Sequence, residues 1–520
     1  MRTSVFRTQR FNFALVGLLA SSGWVGGLSV TWTPGVALAQ DNATIESSGQ
    51  ETGTLEATDE EKPTESKEEA VVESPEIQAI IEAGRNNSQV QDHLDVICNR
   101  IGPRLTSSEG LTAGCLWAKE KFESMGLSNV QMEQWGEFPV GFERGFSAGQ
   151  MTAPKEMDLK FGTNSWTAGT QGRSRGPAVM APSSLEELDS MKDQLAGAWV
   201  LSGPSPRRRG MTAEQRQELL DLRKGILDCK PLGLVRSTSG ELILTGGNYQ
   251  ITWEELPTVP EINLVKSQFT EIAQLIADGQ EVMVMFDIRN FFRKGPIGLY
   301  NVYADIPGTE FPDEYVVVGG HIDSWDGATG ATDNAAGSAT TIEAARILMA
   351  AGIKPKRTIR FMLWSGEEQG LLGSRAYVKA HPEVVDKVSA VFVHDGGTNY
   401  VAGIGVPNDM RDDIEQVFAP AVRLDERAPF EISEITTISA GGASDHSSFI
   451  SGGAPGFFWK QRGRAVYRDT HHTQYDTFET IVPEYQQHSA IVIAIGAYGV
   501  ANLDRMLPRE SVKPRPSFGR

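Results

Sequence analysis

Hydrophobic and polar positions divide the chain into three textures. From about residue 77 to 127 the apolar positions fall at helical spacing: Ile77, Ile80 and Ile81, then Leu94, Val96 and Ile97, then the run 116–125, which Gly126 stops. Between about 141 and 292 short apolar runs alternate with Gly/Pro turns, among them 178–180, 198–201, 233–235, 243–244 and 282–286, and helices are expected only at 213–224 and 266–278. From about 301 onward the runs lengthen. Three of them, 314–323, 358–368 and 388–395, are rich in β-formers, and each ends in an imidazole or a carboxylate. Continuous apolar runs of this kind suit strands of a parallel sheet covered by helices on both faces. A helix at 410–422, a Gly-rich loop at 439–444, a strand at 456–460 and a polar segment at 469–480 follow. A last helix, 483–506, carries Ile491, Ile495, Tyr498 and Leu503 on one stripe. The pattern predicts an α/β fold, with an outer domain at 77–140 and 293–510, a β-rich insertion at 141–292 and a tail at 511–520. There are no internal repeats.

The first 39 residues read as an export signal. Arg2, Arg7 and Arg10 precede an uncharged stretch, and Ala37-Leu-Ala39 offers a small-residue cleavage site. An uncleaved anchor is the alternative, because 11–32 is long enough to span a bilayer. Its glycines and serines and the Ala-x-Ala ending favour cleavage, so the mature chain is expected to be periplasmic or extracellular without stable membrane insertion. Residues 40–76 are rich in Glu, Thr, Ser and Pro, too polar to offset their ordering entropy, and read as a disordered acidic linker. The formal charge of −19 argues against a nucleic-acid partner. Twelve of the acids lie within 41–76, so the rest is moderate and says nothing about substrate. Of the three cysteines, Cys98 and Cys115 could pair in an exported protein, with three free thiols an equal reading. No C-x-x-C spacing suggests a thiolate metal site.

Open α/β sheets place ligands at the carboxyl ends of their strands, which is where the polar residues fall. Five groups have the donor types of a divalent-metal pair: His321, Asp333, Glu368, Asp395 and His472. Glu367, beside Glu368 at a strand end, can face bound water as general base while its neighbour ligates. Asp323, two residues beyond His321, could accept the other N–H of that imidazole and fix its tautomer. Each has a plain alternative: Asp333 before Asn-Ala-Ala-Gly as a turn or cap, the two glutamates as a solvated strand end, His472 as a surface histidine. It is their joint placement on three successive strands that points to chemistry.

The runs Gly320-His321-Ile-Asp323, Thr332-Asp333-Asn334, Gly366-Glu367-Glu368, Asp395-Gly-Gly-Thr and His471-His472-Thr-Gln-Tyr-Asp476 resemble the di-zinc exopeptidases, the family of bacterial aminopeptidases and glutamate carboxypeptidases. Within it they are most similar to the plasma glutamate carboxypeptidase (carboxypeptidase Q) group. The likeness extends to Ile101-Gly-Pro-Arg104, Trp325-Asp326 and 355–358, and covers roughly 80–510. It implies a mixed central sheet with helices on both faces and an inserted protease-associated domain. It also implies two Zn²⁺ per chain: His321 and Asp395 on one, Glu368 and His472 on the other, Asp333 bridging. Glu367 would deprotonate a water activated by the pair, His471 would steady the developing oxyanion, and the Asp333–Asn334 bond would be cis. The implied substrate is a short peptide or dipeptide cut at a terminal bond. A homodimer enters by resemblance alone, and Ser444-Asp445-His446 resembles a segment near the substrate.

Three rival readings fit parts of the sequence. Gly145-Phe-Ser147-Ala-Gly149 matches a serine-hydrolase pattern, which needs a strand before it and a helix after it. A glutaminyl-cyclase-like transferase would use one zinc and fewer ligands, and a non-catalytic binding protein would have lost ligands that this chain retains.

Overall fold

A twelve-stranded sheet organises the computed structural model, which describes residues 73–204, 211–442 and 444–514. The expected signal at 1–39, the linker up to residue 72 and the end of the tail, 515–520, lie outside the described residues. Strand Phe311–His321 is parallel to Arg357–Trp364 on one side and to Val388–Val393 on the other. Gly456–Phe458 adds a parallel edge. Met283–Ile306 runs antiparallel beside Arg357–Trp364 and pairs along its length with Ser128–Ala153. The sheet is therefore mixed, and the three runs that end in polar residues are its parallel core.

Side-chain alternation tells which layer each residue serves. Val316, Val318, Ile359, Phe361 and Leu363 enter one core, with helices Pro75–Asn86, Glu109–Ser124, Ala336–Ala350 and Pro483–Ala501 packed over them. Val317, Met362, Trp364, Val391 and Val393 point the other way, against Tyr377 and Phe449 of the helices Leu372–Ala380 and His446–Ser451. Both faces are covered, which is why these strands read as unbroken apolar runs. The last helix ends at Ala501, short of 506. Residues Ser489 to Ala497 are buried on every side rather than along one stripe, since helices and sheet surround them. Local signals hold at the ends: Ser74 and Ser108 accept hydrogen bonds from the backbone N–H of Ile77 and Leu111, and Gly126 takes φ +80° where its helix stops.

Past Met283–Ile306 the sheet continues through Ser174–Met180, Trp199–Ser202, Gly233–Ser237 and Glu261–Leu264, all mutually parallel. Helices Leu185–Leu195 and Ala213–Asp228 fall between the first three of them, and Lys266–Ala277 follows the last. The region expected to be β-rich is thus an α/β layer. Its first helix escaped the sequence pattern because only Leu188 and Leu195 of its eleven residues are buried. The expected strand at 243–244 makes only an isolated bridge, from Leu244 to Thr473. Ser147 lies within the long strand Ser128–Ala153, opposite Ile288, so the turn into a helix that a serine nucleophile needs is absent there. All three cysteines are free thiols, Cys98 and Cys115 both buried. No helix among the described residues is long and apolar enough to cross a membrane.

Candidate metal centre

Parallel pairing puts the carboxyl ends of Phe311–His321, Arg357–Trp364 and Val388–Val393 along one edge. His321 closes the first strand, Glu367 and Glu368 sit three and four residues past the second, and Asp395 lies two past the third. Asp333 comes from the turn that starts helix Ala336–Ala350, and the Asp333–Asn334 peptide bond is cis. His472 arrives from the far end of the domain, well beyond the third strand, held at φ +60°. All five expected ligands converge.

The spacing within the cluster is specific. His321 Nε2 lies 3.3 Å from Asp333 Oδ1 and 3.5 Å from Asp395 Oδ1. His472 Nε2 lies 3.2 Å from Asp333 Oδ2 and 3.0 Å from Glu368 Oε2. Asp333 therefore turns one oxygen to each imidazole and joins two donor sets. Glu367 Oε2 is 4.0 Å from His321 Nε2, facing the cluster beside its other members. His471 stacks on His472 with ring centroids 3.8 Å apart, and its Nε2 is 3.8 Å from Asp333 Oδ2.

These donors fit metal ions. Ligands bound at about 2 Å in tetrahedral geometry stand roughly 3.3 Å from one another, and the four separations above bracket that value. His321 Nε2 and Asp333 Oδ2 are buried without a hydrogen bond, an arrangement costing about 1–3 kcal/mol per group unless a cation repays it. The protonation states agree. Burial and the neighbouring Asp333 charge push the Glu368 carboxyl up to about 8. Burial also holds Glu367 well above the ordinary carboxylate range, with Asp395 and Asp445 adding to it and His321 opposing. For His472 burial favours the neutral ring, but the Asp333 and Glu368 carboxylates beside it outweigh this and raise the imidazole to about 10.

Asp323 supports the site differently from the expected way. The backbone carbonyl of Asp323, 3.0 Å away, is the nearer partner of His321 Nδ1, while its carboxylate oxygen is 3.6 Å off. That carboxylate instead accepts the backbone N–H groups of Glu367 and Glu368 at 3.3 and 3.2 Å, and the Thr106 hydroxyl at 3.0 Å. The reason is position: Asp323 lies past the strand end, where the pleat no longer aligns it with His321. Other supports had no role assigned from sequence. Asp476 accepts the N–H groups of Thr332 and Asp333 at 2.6 and 3.1 Å. The Trp325 N–H donates to Glu368 Oε1 at 3.2 Å. Arg104 is fully buried and donates to the carbonyls of Gly102, Ile322, Thr329 and Gly330, tying the loops that carry Asp323 and Asp333. Arg104 and Asp476 stood inside resembling motifs, but spacing alone cannot show which backbone groups a side chain will reach. A cleft of about 880 Å³ opens beside Asp395 and His471, walled by Tyr467, Phe458 and Lys460.

A profile of peptidase family M28 matches residues 301–495. Over 432 residues the chain is 26% identical to carboxypeptidase Q of Rattus norvegicus, covering 82% of this chain and 88% of that protein. Its fold is that of a peptidase M28 precursor from Shewanella amazonensis, with a TM-score of 0.61 at 24% identity, covering 83% of this chain and 97% of that one. A zinc aminopeptidase of Bacillus subtilis superposes at 0.53 with 18% identity, over 82% and 98% of the two chains. Strands, converging donors and family match agree: residues 301–495 match the peptidase family M28 model, and the chain is a metallopeptidase.

Proposed function

We propose that the chain is an exported zinc exopeptidase that cuts terminal bonds of short peptides or dipeptides with two metals and Glu367 as general base. The observation that carries this reading is Asp333, whose two oxygens face two separate imidazoles. His321 and Asp395 would hold one zinc, Glu368 and His472 the other, and Asp333 both. When bound, the pair acidifies a water toward neutrality and polarises the scissile carbonyl. Glu367 would take the proton of the attacking water and return it to the leaving amine, a task its position beside His321 allows. Asp323 holds the Glu367–Glu368 backbone so that the two carboxylates diverge, one toward His321 and the other toward His472. The cleft beside Asp395 has the volume of a small-ligand site and suits a short peptide.

His471 is half exposed at the mouth of that cleft, where an imidazole can donate to an oxyanion. Removing one such donor costs about 10²–10³ in kcat, so His471→Ala should lose that much at unchanged zinc content. A kcat equal to wild type would remove the role. The function itself is tested with free and end-blocked dipeptides, with and without chelator. Hydrolysis of free dipeptides, abolished by chelator, is expected. Loss on N-terminal blocking marks an aminopeptidase or dipeptidase, and loss on C-terminal blocking a carboxypeptidase. Turnover that survives zinc removal overturns the assignment.

A further inference from the structure

The two halves of the metal cluster are supported by different parts of the chain. The His321 and Asp395 half is held from the central sheet. Ser338 Oγ donates to the His321 carbonyl at 2.7 Å, the His394 N–H to the Gly319 carbonyl at 2.9 Å, and Asn334 Nδ2 to the His394 carbonyl at 2.8 Å. The Glu368 and His472 half, where Asp323 already accepts the Glu368 N–H, is held in addition from the segment between the two long strands. The Thr245 N–H donates to the His472 carbonyl at 2.7 Å, and Leu244 bridges Thr473. Gln474 fastens the same strap twice, its Oε1 accepting the Ile243 N–H at 2.8 Å and its Nε2 donating to the Glu241 carbonyl at 3.1 Å. Thr245 is itself wedged against Gly327, where any Cβ would collide with its hydroxyl.

A second fastening reaches the same half. Trp325 donates its N–H to Glu368 Oε1, and its ring stands edge-on to His472 at 6.2 Å. Behind it Trp166 packs edge-on at 6.4 Å. Asp326, the next residue, accepts from Arg144 at 2.7 Å and from Ser165 Oγ at 2.6 Å. His472 has a left-handed backbone, which a non-glycine residue keeps only where its surroundings over-determine it. The strap at Glu241–Thr245 is one such constraint.

We infer that residues 144–166 and 241–245 position Glu368 and His472, so that the affinity of one metal site is set by the inserted segment and that of the other is not. This rests on the two-zinc reading. Outer partners of metal ligands typically contribute about 10–100-fold in affinity. Zinc bound per full-length chain, measured by elemental analysis across a series of chelator-buffered free-zinc concentrations, reads both sites without any activity assay. The wild type should fill in two steps. Thr245→Pro, which removes the N–H given to His472, and Gln474→Ala, which only unfastens the strap, should each move one step to about 10–100-fold higher free zinc and leave the other in place. Gln474 is partly exposed, so its variant is the control should the proline variant fail to fold. Steps that stay put, or that move together, overturn the inference while leaving the two-zinc site intact. A wild type that binds fewer than two zincs overturns the underlying reading instead.

Discussion

Glu367→Gln is expected to lower kcat/KM on a dipeptide by about 10²–10⁴-fold while zinc content stays at the wild-type level. The substitution keeps shape and hydrogen-bonding capacity but removes the group able to take a proton. Its effect should fall on kcat, because a general base acts when the proton moves and not when the peptide docks. The geometry makes the separation from metal binding clean: Glu367 approaches His321 only at 4.0 Å, whereas Asp333 and Asp395 stand at 3.3 and 3.5 Å. Retained activity in this variant would mean that another group is the base. Loss of zinc alongside activity would make Glu367 a ligand.

Asp333→Ala should abolish turnover and empty both metal sites, while Asp395→Ala weakens one. The asymmetry follows from Asp333 alone facing both imidazoles, and from its burial among them. Thermal denaturation supplies an independent readout. A ligand that binds only the folded state stabilises it by about 2.7 kcal/mol at a hundred times its dissociation constant. Zinc should therefore raise the melting temperature of the wild type and leave that of Asp333→Ala unmoved. A variant that still binds one zinc tightly would show that the sites do not share Asp333, and a wild type that binds only one would favour a single-zinc chemistry.

How much of this was legible beforehand depends on the range over which each signal acts. Residues such as Val316 and Val317 serve opposite faces of one strand, and both faces are covered, so the apolar runs announce strands wherever the chain stands. Caps and glycine stops are equally local. The five candidate metal donors were legible because their chemical types are rare in combination and because they follow the ends of apolar runs. The helix Leu185–Leu195 was not, since two buried leucines among charged residues make too thin a stripe.

The sequence by itself determined the α/β class and the parallel core strands, which depend on residue type and on spacing within a few dozen positions, and it named the candidate donors and base by chemical type at the ends of those runs. Only the tertiary structure decided that Asp323 holds the Glu367 and Glu368 amides, that Arg104 gathers the carbonyls of separate loops, and that a strap from residue 245 grips His472. Those contacts join side chains or strands to backbone groups, often hundreds of residues away. Every residue carries the same backbone donor and acceptor, so nothing in the sequence marks which one a distant partner will find.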